Sequence, residues 1–222
     1  GRVLRAATAT DETNASGTKM NSSGTNTGDI VIGSNAQTHG GSDKSTVLIA
    51  IGSHASAGSD TLQSDGTYPS HSVAIGNDTN ASGDSAVALG HSATATQQHN
   101  TALGSGTVAT GAQATAVGDH ANATGEAATA TGSQSKATGK MSSAYGPTST
   151  ASGTNSTAVG GQASATGNNS SALGALANAS GSLAQALGTN TVASGKRSTA
   201  VGPQAQSITD KATAVGNQAI SS

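Results

Sequence analysis

Small and apolar residues recur along this chain with a period of fourteen. A triplet, in nearly every case alanine, an apolar residue and glycine, begins at Ala74 and recurs in eleven successive registers as far as Ala214. A second glycine follows most triplets seven residues after the first, and only Gln97 and Thr209 interrupt that second series. Such a regular repeat indicates one small unit stacked many times, as in a solenoid.

The spacing inside each unit predicts strands and not a helix. Small residues recur two apart, as at Ser72 and Ala74 in the first half of a unit and at Thr79 and Ala81 in the second. A spacing of two residues is the period of a strand. A helix would carry a glycine in nearly every heptad, and each glycine would destabilise it by about 1 kcal/mol relative to alanine. We therefore predict an all-β fold, a parallel β-solenoid of 14-residue coils, each with two short strands and two turns.

The first strand of each coil is predicted to carry an outward apolar column. The small columns of the two strands then face each other across a narrow core. An exposed apolar column of this length marks an interface between chains. The predicted interface residues are Ile75, Leu89, Leu103, Val117, Tyr145, Val159, Leu173, Leu187, Val201 and Val215. The alternative places this column inside the coil and the alanines outside.

Two neighbouring members of the column depart from the aliphatic pattern. Thr131 precedes Tyr145 by one coil, so the two are predicted to stack. A small residue beneath a large one is consistent with local compensation, and tolerated drift is the other interpretation.

The second strand is predicted to present a solvated face. One outward column consists of serine and threonine: Ser82, Thr96, Thr110, Thr124, Thr138, Ser152, Thr166, Ser180 and Ser194. Its companion column is mixed and includes Asn80, Lys136 and Val192.

The period is interrupted only upstream. We assign residues 1–29 to degenerate coils or an artificial N-terminal end, and residues 30–222 to the solenoid, with insertions near 40–46 and 58–71. Insertions in solenoids become loops on one face, often the binding face. The candidate ligand-binding residues in the longer loop are Asp60, Leu62, Asp65 and Tyr68.

Composition narrows the possible functions. The 222 residues include 31 Gly, no Phe, Trp or Cys, and a net charge of −2, so neither a thick core nor a disulfide framework is expected. The sequence has no run of basic residues that would indicate nucleic acid or anionic lipid as a partner. No segment is long and apolar enough to span a bilayer, and we expect an excised segment of a longer protein.

The chemistry-bearing side chains are dispersed. The histidines are predicted on turns and loops: His39, His54, His71, His91, His99 and His120. The eleven carboxylates form no acid and base pair. We therefore expect no catalytic residue, no metal site, no cofactor and no enzymatic activity.

The coil resembles a known repeat. The run SVAIG at 72–76, followed after small residues by ASG at 81–83, is similar to the head repeat of trimeric autotransporter adhesins, the YadA-like heads of Gram-negative surface proteins. The resemblance covers roughly residues 30–222. It implies a left-handed parallel β-roll, a homotrimer, and a location outside the outer membrane on the bacterial cell surface.

The same resemblance implies cell adhesion and virulence as the function. The expected partners are host extracellular matrix proteins or the host cell surface, and self-association between bacteria stays open. The alternative is an ice- or surface-binding β-solenoid that uses the outer Ser/Thr face, although Lys136 and Asn178 interrupt the regular threonine ladder that ice binding needs.

Overall fold

The computed structural model describes residues 12–13, 19–20, 29–39, 47–59 and 70–222. The chain divides into two compact units, Gly1–Ala112 and Gln113–Ser222. Every regular element in the described ranges is a strand of two or three residues, and none is a helix. The predicted all-β class is confirmed.

The described residues of the first unit form twelve strands. They are β1 (Glu12–Thr13), β2 (Lys19–Met20), β3 (Ile30–Ile32), β4 (Gln37–His39), β5 (Ile49–Ile51), β6 (Ser56–Gly58), β7 (Val73–Ile75), β8 (Asn80–Ala81), β9 (Val87–Leu89), β10 (Thr94–Ala95), β11 (Thr101–Leu103) and β12 (Val108–Ala109). Strands β1 and β2 pair antiparallel, unlike the strands that follow. The other residues of 1–28 lie outside the described part of the chain, and so do 40–46 and 60–69.

The second unit holds sixteen strands. They are β13 (Thr115–Val117), β14 (Asn122–Ala123), β15 (Thr129–Thr131), β16 (Lys136–Ala137), β17 (Ser143–Tyr145), β18 (Thr150–Ala151), β19 (Thr157–Val159), β20 (Ser164–Ala165), β21 (Ser171–Leu173), β22 (Asn178–Ala179), β23 (Gln185–Leu187), β24 (Val192–Ala193), β25 (Thr199–Val201), β26 (Gln206–Ser207), β27 (Thr213–Val215) and β28 (Ile220–Ser221).

Within each unit, strands pair in parallel with the equivalent strand of the next coil. In each unit, the odd-numbered strands from β3 onward lie in one sheet and the even-numbered strands from β4 onward lie in another. The register is one coil, so that Ala88 lies opposite Ala102 and Ala172 lies opposite Ala186. The predicted parallel β-solenoid of 14-residue coils is confirmed.

The two insertions leave the strand register intact. Ile30 pairs with Ile49, nineteen residues on, and Ile49 pairs with Val73, twenty-four residues on. The extra residues therefore lie between β4 and β5 and between β6 and β7, where they extend the chain without shifting the alanine column.

Alanine fills the space between the two sheets. In the coil around β21 and β22, Ala172, Ala177 and Ala179 are all completely buried. Several hydroxyl residues that share the inward columns bond to the turns, as when the Ser170 hydroxyl donates to the Gly167 carbonyl oxygen at 2.6 Å. Asn100 is the largest polar residue in this core, and its side-chain amide donates to the Ala109 carbonyl oxygen at 2.6 Å.

The two glycine series serve different needs. Gly174 has a φ of +137°, where L side chains are rarely found, and an added Cβ would lie 2.6 Å from the carbonyl carbon of Gly188. Gly167 has no such φ, but a Cβ there would overlap the carbonyl oxygen of Gly181 in the next coil. The first series therefore needs both glycine's backbone freedom and the space, and the second needs only the space.

Each turn also places a residue in the left-handed region two positions after its glycine. Leu176 (φ 59°) and Met141 (φ 52°) adopt it, although such residues do so at a cost of about 1–2 kcal/mol. Their backbone N–H groups donate to carbonyl oxygens one coil earlier, Leu176 to Gly161 at 3.0 Å and Met141 to Glu126 at 2.7 Å. The turns thus continue the hydrogen-bonded stacking of the strands, and this bonding offsets the cost of the conformation.

Candidate functional site

The apolar column of the first strand lies on the outside of the coil. Along β21, Ala172 is 0% exposed whereas Leu173 is 40% exposed. The same buried alanine and more accessible outward residue recur in strands β5, β7 and every odd-numbered strand after them. The alternative that places the large aliphatic residues inside the coil is wrong, because alanine leaves no room for them between the sheets.

The column is continuous within each unit. We call it the aliphatic stripe. In the first unit it comprises Ile32, Ile51, Ile75, Leu89 and Leu103, and in the second Val117, Thr131, Tyr145, Val159, Leu173, Leu187, Val201 and Val215. Paired strands bring its members level, as with Val159 opposite Leu173, at the inter-strand distance of about 4.8 Å.

The stripe is wider in the first unit than the sequence indicated. The outward position two residues before the stripe member holds Ile30, Ile49, Val73 and Val87 in four coils of this unit. Ile30 is exposed and the other three are half-buried. In the second unit the same position holds hydroxyl residues and one glutamine: Thr115, Thr129, Ser143, Thr157, Ser171, Gln185, Thr199 and Thr213. The spacing of two along the strand is the signal that identifies Val73 and Val87 as members of this face.

Thr131 and Tyr145 are stacked, as predicted. Thr131 lies opposite Tyr145, and Tyr145 lies opposite Val159 on its other side. Tyr145 is 41% exposed, comparable to Leu173. Within the second unit these two are the only stripe members that carry a hydroxyl group.

The second strand presents a polar outward face. The residues that follow its inward alanines are exposed in six successive coils of the second unit: Thr124, Thr138, Ser152, Thr166, Ser180 and Ser194. The companion column includes the exposed side chains of Lys136 and Asn178, so the row of hydroxyls has no regular partner row.

A family model of the YadA head domain repeat, two copies long, matches the chain in a series of overlapping windows. The matched residues are 70–93, 81–107, 95–121, 109–135, 123–149, 137–163, 151–177, 179–205 and 193–219. These windows cover most of the chain. The chain belongs to the YadA head family. No individual curated protein matches it.

Membership in the YadA head family confirms the resemblance seen in the repeat. Heads of this family belong to trimeric autotransporter adhesins, which Gram-negative bacteria expose on their surface, and they are typically not enzymes. The match begins at residue 70, whereas the sequence pattern indicated a start near residue 30. The coils at β3 and β5 nevertheless share the parallel register of β7.

In the described part of this YadA head, most charged groups lie at the turn edges. His91 and His120 are exposed turn residues, and His54 contacts Asp78 with 3.2 Å between Nδ1 and Oδ1. Lys140 pairs with Glu126 at 2.8 Å across neighbouring coils. Among the residues that the structure describes, no three His, Asp or Glu side chains gather into a metal site.

One carboxylate of the head stands out electrostatically. Asp84 Oδ1 accepts the Ser70 backbone N–H at 2.9 Å and the Ser70 hydroxyl at 2.6 Å. Burial alone would raise the pKa of Asp84, but these hydrogen bonds, a weaker one from Ser85 and the nearby His99 outweigh it and lower the pKa below its ordinary value. Asp84 therefore ties two successive turns together in its ionised form.

The candidate ligand-binding residues Asp60, Leu62, Asp65 and Tyr68 lie outside the described residues. Three exposed apolar side chains on the turns, Met141, Leu176 and Leu183, were not predicted from the sequence. The only signal for them is that large apolar residues interrupt turn columns that are otherwise small or polar. None of the described residues forms a helix that could cross a membrane.

Proposed function

We propose that this chain is the head of a trimeric surface adhesin, in which three copies meet along the aliphatic stripe. The observation that carries the proposal is the stripe's exposure in a single chain, seen directly at Leu173 and Val159. Family membership supports the number three and the location on a Gram-negative cell surface. A contiguous apolar surface that runs from coil to coil is unusual for a monomer and typical of an interface.

Burial of the stripe supplies the energy for association. Most aliphatic side chains of the stripe are already partly buried on their own chain, as with Leu173 at 40% exposure, so a partner removes only the remaining part from water. Full burial of such a side chain contributes about 1.5–3 kcal/mol, and about half of that is left for the interface. Because the term recurs in every coil, a long head associates more tightly than a short one.

The function that follows is multivalent attachment. A threefold assembly presents every outward loop and polar face in three copies, to host matrix proteins or to host cells. Three linked weak contacts raise the avidity by roughly 10²–10⁴ over one contact without any new interaction. The polar second-strand face and the loops near 40–46 and 58–71 are the proposed contact surfaces.

Two matched charge substitutions test the assembly. Leu173→Asp puts a carboxylate on the stripe, and Ser180→Asp puts one on the second-strand face of the same coil. Both residues are exposed in the single chain, so neither should unfold it. Sedimentation equilibrium should give a trimer for native protein and Ser180→Asp and a monomer for Leu173→Asp, because a buried unpaired charge costs several kcal/mol.

The same three proteins test adhesion. They would be applied to immobilised collagen, fibronectin and laminin and to intact mammalian cells. Retention of the native trimer with loss of retention for Leu173→Asp supports multivalent attachment. A native monomer, or equal retention of all three proteins, contradicts the proposal.

One observation favours a second candidate. Six successive coils of the second unit carry an exposed hydroxyl residue, from Thr124 to Ser194, and the inter-strand distance places them about 4.8 Å apart in one row. A thermal hysteresis measurement separates the two functions. Freezing-point depression without binding to matrix or cells would replace the adhesin proposal by ice binding.

A further inference from the structure

The aliphatic stripe does not by itself fix how copies of the chain align along their length, that is, the register between chains. It repeats every coil, so one chain could slide by fourteen residues along its neighbours and still place aliphatic side chains against aliphatic side chains. Such a slip would leave only the terminal coils without a partner. A perfectly uniform stripe would therefore allow a mixture of registers, as weakly specified strands do.

Thr131 and Tyr145 break this uniformity at one place. They are neighbours in the second unit, with Thr131 opposite Tyr145. Val117 precedes them on the stripe and Val159 follows. Both side chains lie on the outside of the coil, so a second copy of this chain would meet them directly.

We infer that Thr131 and Tyr145 set the register between copies of this chain. With the three chains level, the three Tyr145 hydroxyls lie at one height and the three Thr131 hydroxyls at the next. Each hydroxyl then has its own kind as a hydrogen-bond partner, and three phenol rings pack against one another. The small threonines beneath leave room for the rings.

A slip of one coil destroys this arrangement in either direction. In one direction the displaced chain's Thr131 lies level with two copies of Val117. In the other, its Tyr145 lies level with two copies of Val159. Either way a hydroxyl is enclosed among aliphatic side chains without a partner, which is costly. A single polar position in an otherwise apolar seam fixes register in coiled coils by the same physics.

The inference rests on the proposed function, because it needs the stripe to face other copies. Gln185 is the other distinctive outward residue of this face in the second unit. It stands in the flanking column, where a long side chain can turn its amide to solvent, so it enforces register less than a hydroxyl on the stripe.

Disulfide cross-linking tests the inference, since the chain contains no cysteine of its own. One chain would carry Leu173→Cys, and a second, enlarged by a tag, would carry Leu187→Cys one coil away. Co-expression and oxidation give three dimers that separate by size on a non-reducing gel. Like dimers report the level register, and the mixed dimer reports a slip, because a one-coil offset displaces the two cysteines by about 4.8 Å along the stack of coils, and a disulfide tightly limits the distance between them.

The pair would be placed in three backgrounds. The native background sets the baseline, and the uniform background combines Thr131→Val with Tyr145→Leu. The control combines Val117→Leu with Val201→Leu, which alters the stripe but keeps the hydroxyl pair. We expect the mixed fraction to rise about threefold or more in the uniform background alone.

Sedimentation of the same samples keeps the outcomes distinct. Trimers with equal mixed fractions in all backgrounds, or an equal rise in the control, overturn the register assignment and leave the interface intact. A monomer in the uniform background alone also overturns it, since the pair would then drive association instead of alignment. A monomer in every background removes the proposed trimer and the register assignment together.

Discussion

The two outward faces of the second unit share a backbone but differ in chemistry. The first-strand face carries Val159, Leu173 and Leu187, and the second-strand face carries Thr166, Ser180 and Ser194 at matching heights. Behind both faces the inward residues are the same, with Ala172 and Ala179 completely buried. The inward alanines and the glycines therefore define the coil, and the outward residues are free to be selected for what they touch.

The largest expected effect comes from violating the shared interior. Ala179→Leu inserts three carbon atoms between the sheets, where neighbouring alanines leave no room, and should destabilise the head by about 3 kcal/mol or more. Ser180→Leu adds a similar side chain one residue later, on the outside, and should change stability by less than about 0.5 kcal/mol. Urea unfolding midpoints at an unchanged m-value measure the difference. Equal losses for the two variants would show that Ser180 is also enclosed.

Two adjacent glycines at one turn also differ in whether a side chain would be enclosed or would point to open space. Gly160→Ala forces a side chain into a φ of +128°, with its Cβ 2.6 Å from the carbonyl carbon of Gly174, and should cost about 1–3 kcal/mol. Gly161→Ala meets nothing closer than the Pro147 ring at 3.8 Å and should be neutral or stabilising by about 0.4–1 kcal/mol. Thermal unfolding of both variants measures these two changes in stability. A Gly160→Ala protein as stable as the native one would contradict the conclusion that this position needs glycine.

The period and the alternation at Ser72 and Ala74 were enough to predict the coil, its parallel pairing and the outward stripe. They sufficed because a fourteen-residue period admits few stackings and because alanine, serine and threonine fill nearly all positions of the inward columns. The left-handed backbone of Leu176 and Met141 could not be predicted in this way. Local preference disfavours it, and it exists only because their N–H groups reach carbonyls in the preceding coil.

The same distinction holds for the functional residues: contacts that follow from the fourteen-residue period could be predicted, and contacts that depend on turn geometry could not. Thr131 and Tyr145 could be placed side by side because their contact follows from the period. The lowered pKa of Asp84 could not be predicted, since it depends on how one turn presents the Ser70 N–H and hydroxyl to the next. Val73 and Val87 were missed because each coil was assigned one outward apolar column when strand geometry allows two.

The polar face should tolerate changes that the stripe does not. Thr110→Lys adds a charge on the second-strand face, where Lys136 already stands in the companion column. The long stem can carry its ammonium group into water, so the unfolding free energy should change by less than about 0.5 kcal/mol and the oligomer should keep its mass. A large fall in the melting temperature would show that the second-strand face is covered and that the two faces have been assigned the wrong way round.

A small effect that depends on pH is expected at a turn edge between the faces. Because hydrogen bonds from Ser70 hold the pKa of Asp84 below its ordinary value, ionised Asp84 stabilises the folded head above about pH 4, the unfolded value. The contribution is lost as the pH falls further, through the lowered folded pKa. Since the carboxylate is largely solvated, it should amount to less than about 1 kcal/mol. The change in urea midpoint between about pH 6 and pH 3 should therefore be smaller in Asp84→Asn than in the native protein.

Asp119→Asn, which removes a carboxylate paired with the exposed His120, serves as the matched control and should retain the native pH dependence. An acid response in Asp84→Asn as large as the native one would mean that the Ser70 contacts hold the turn equally well without the charge.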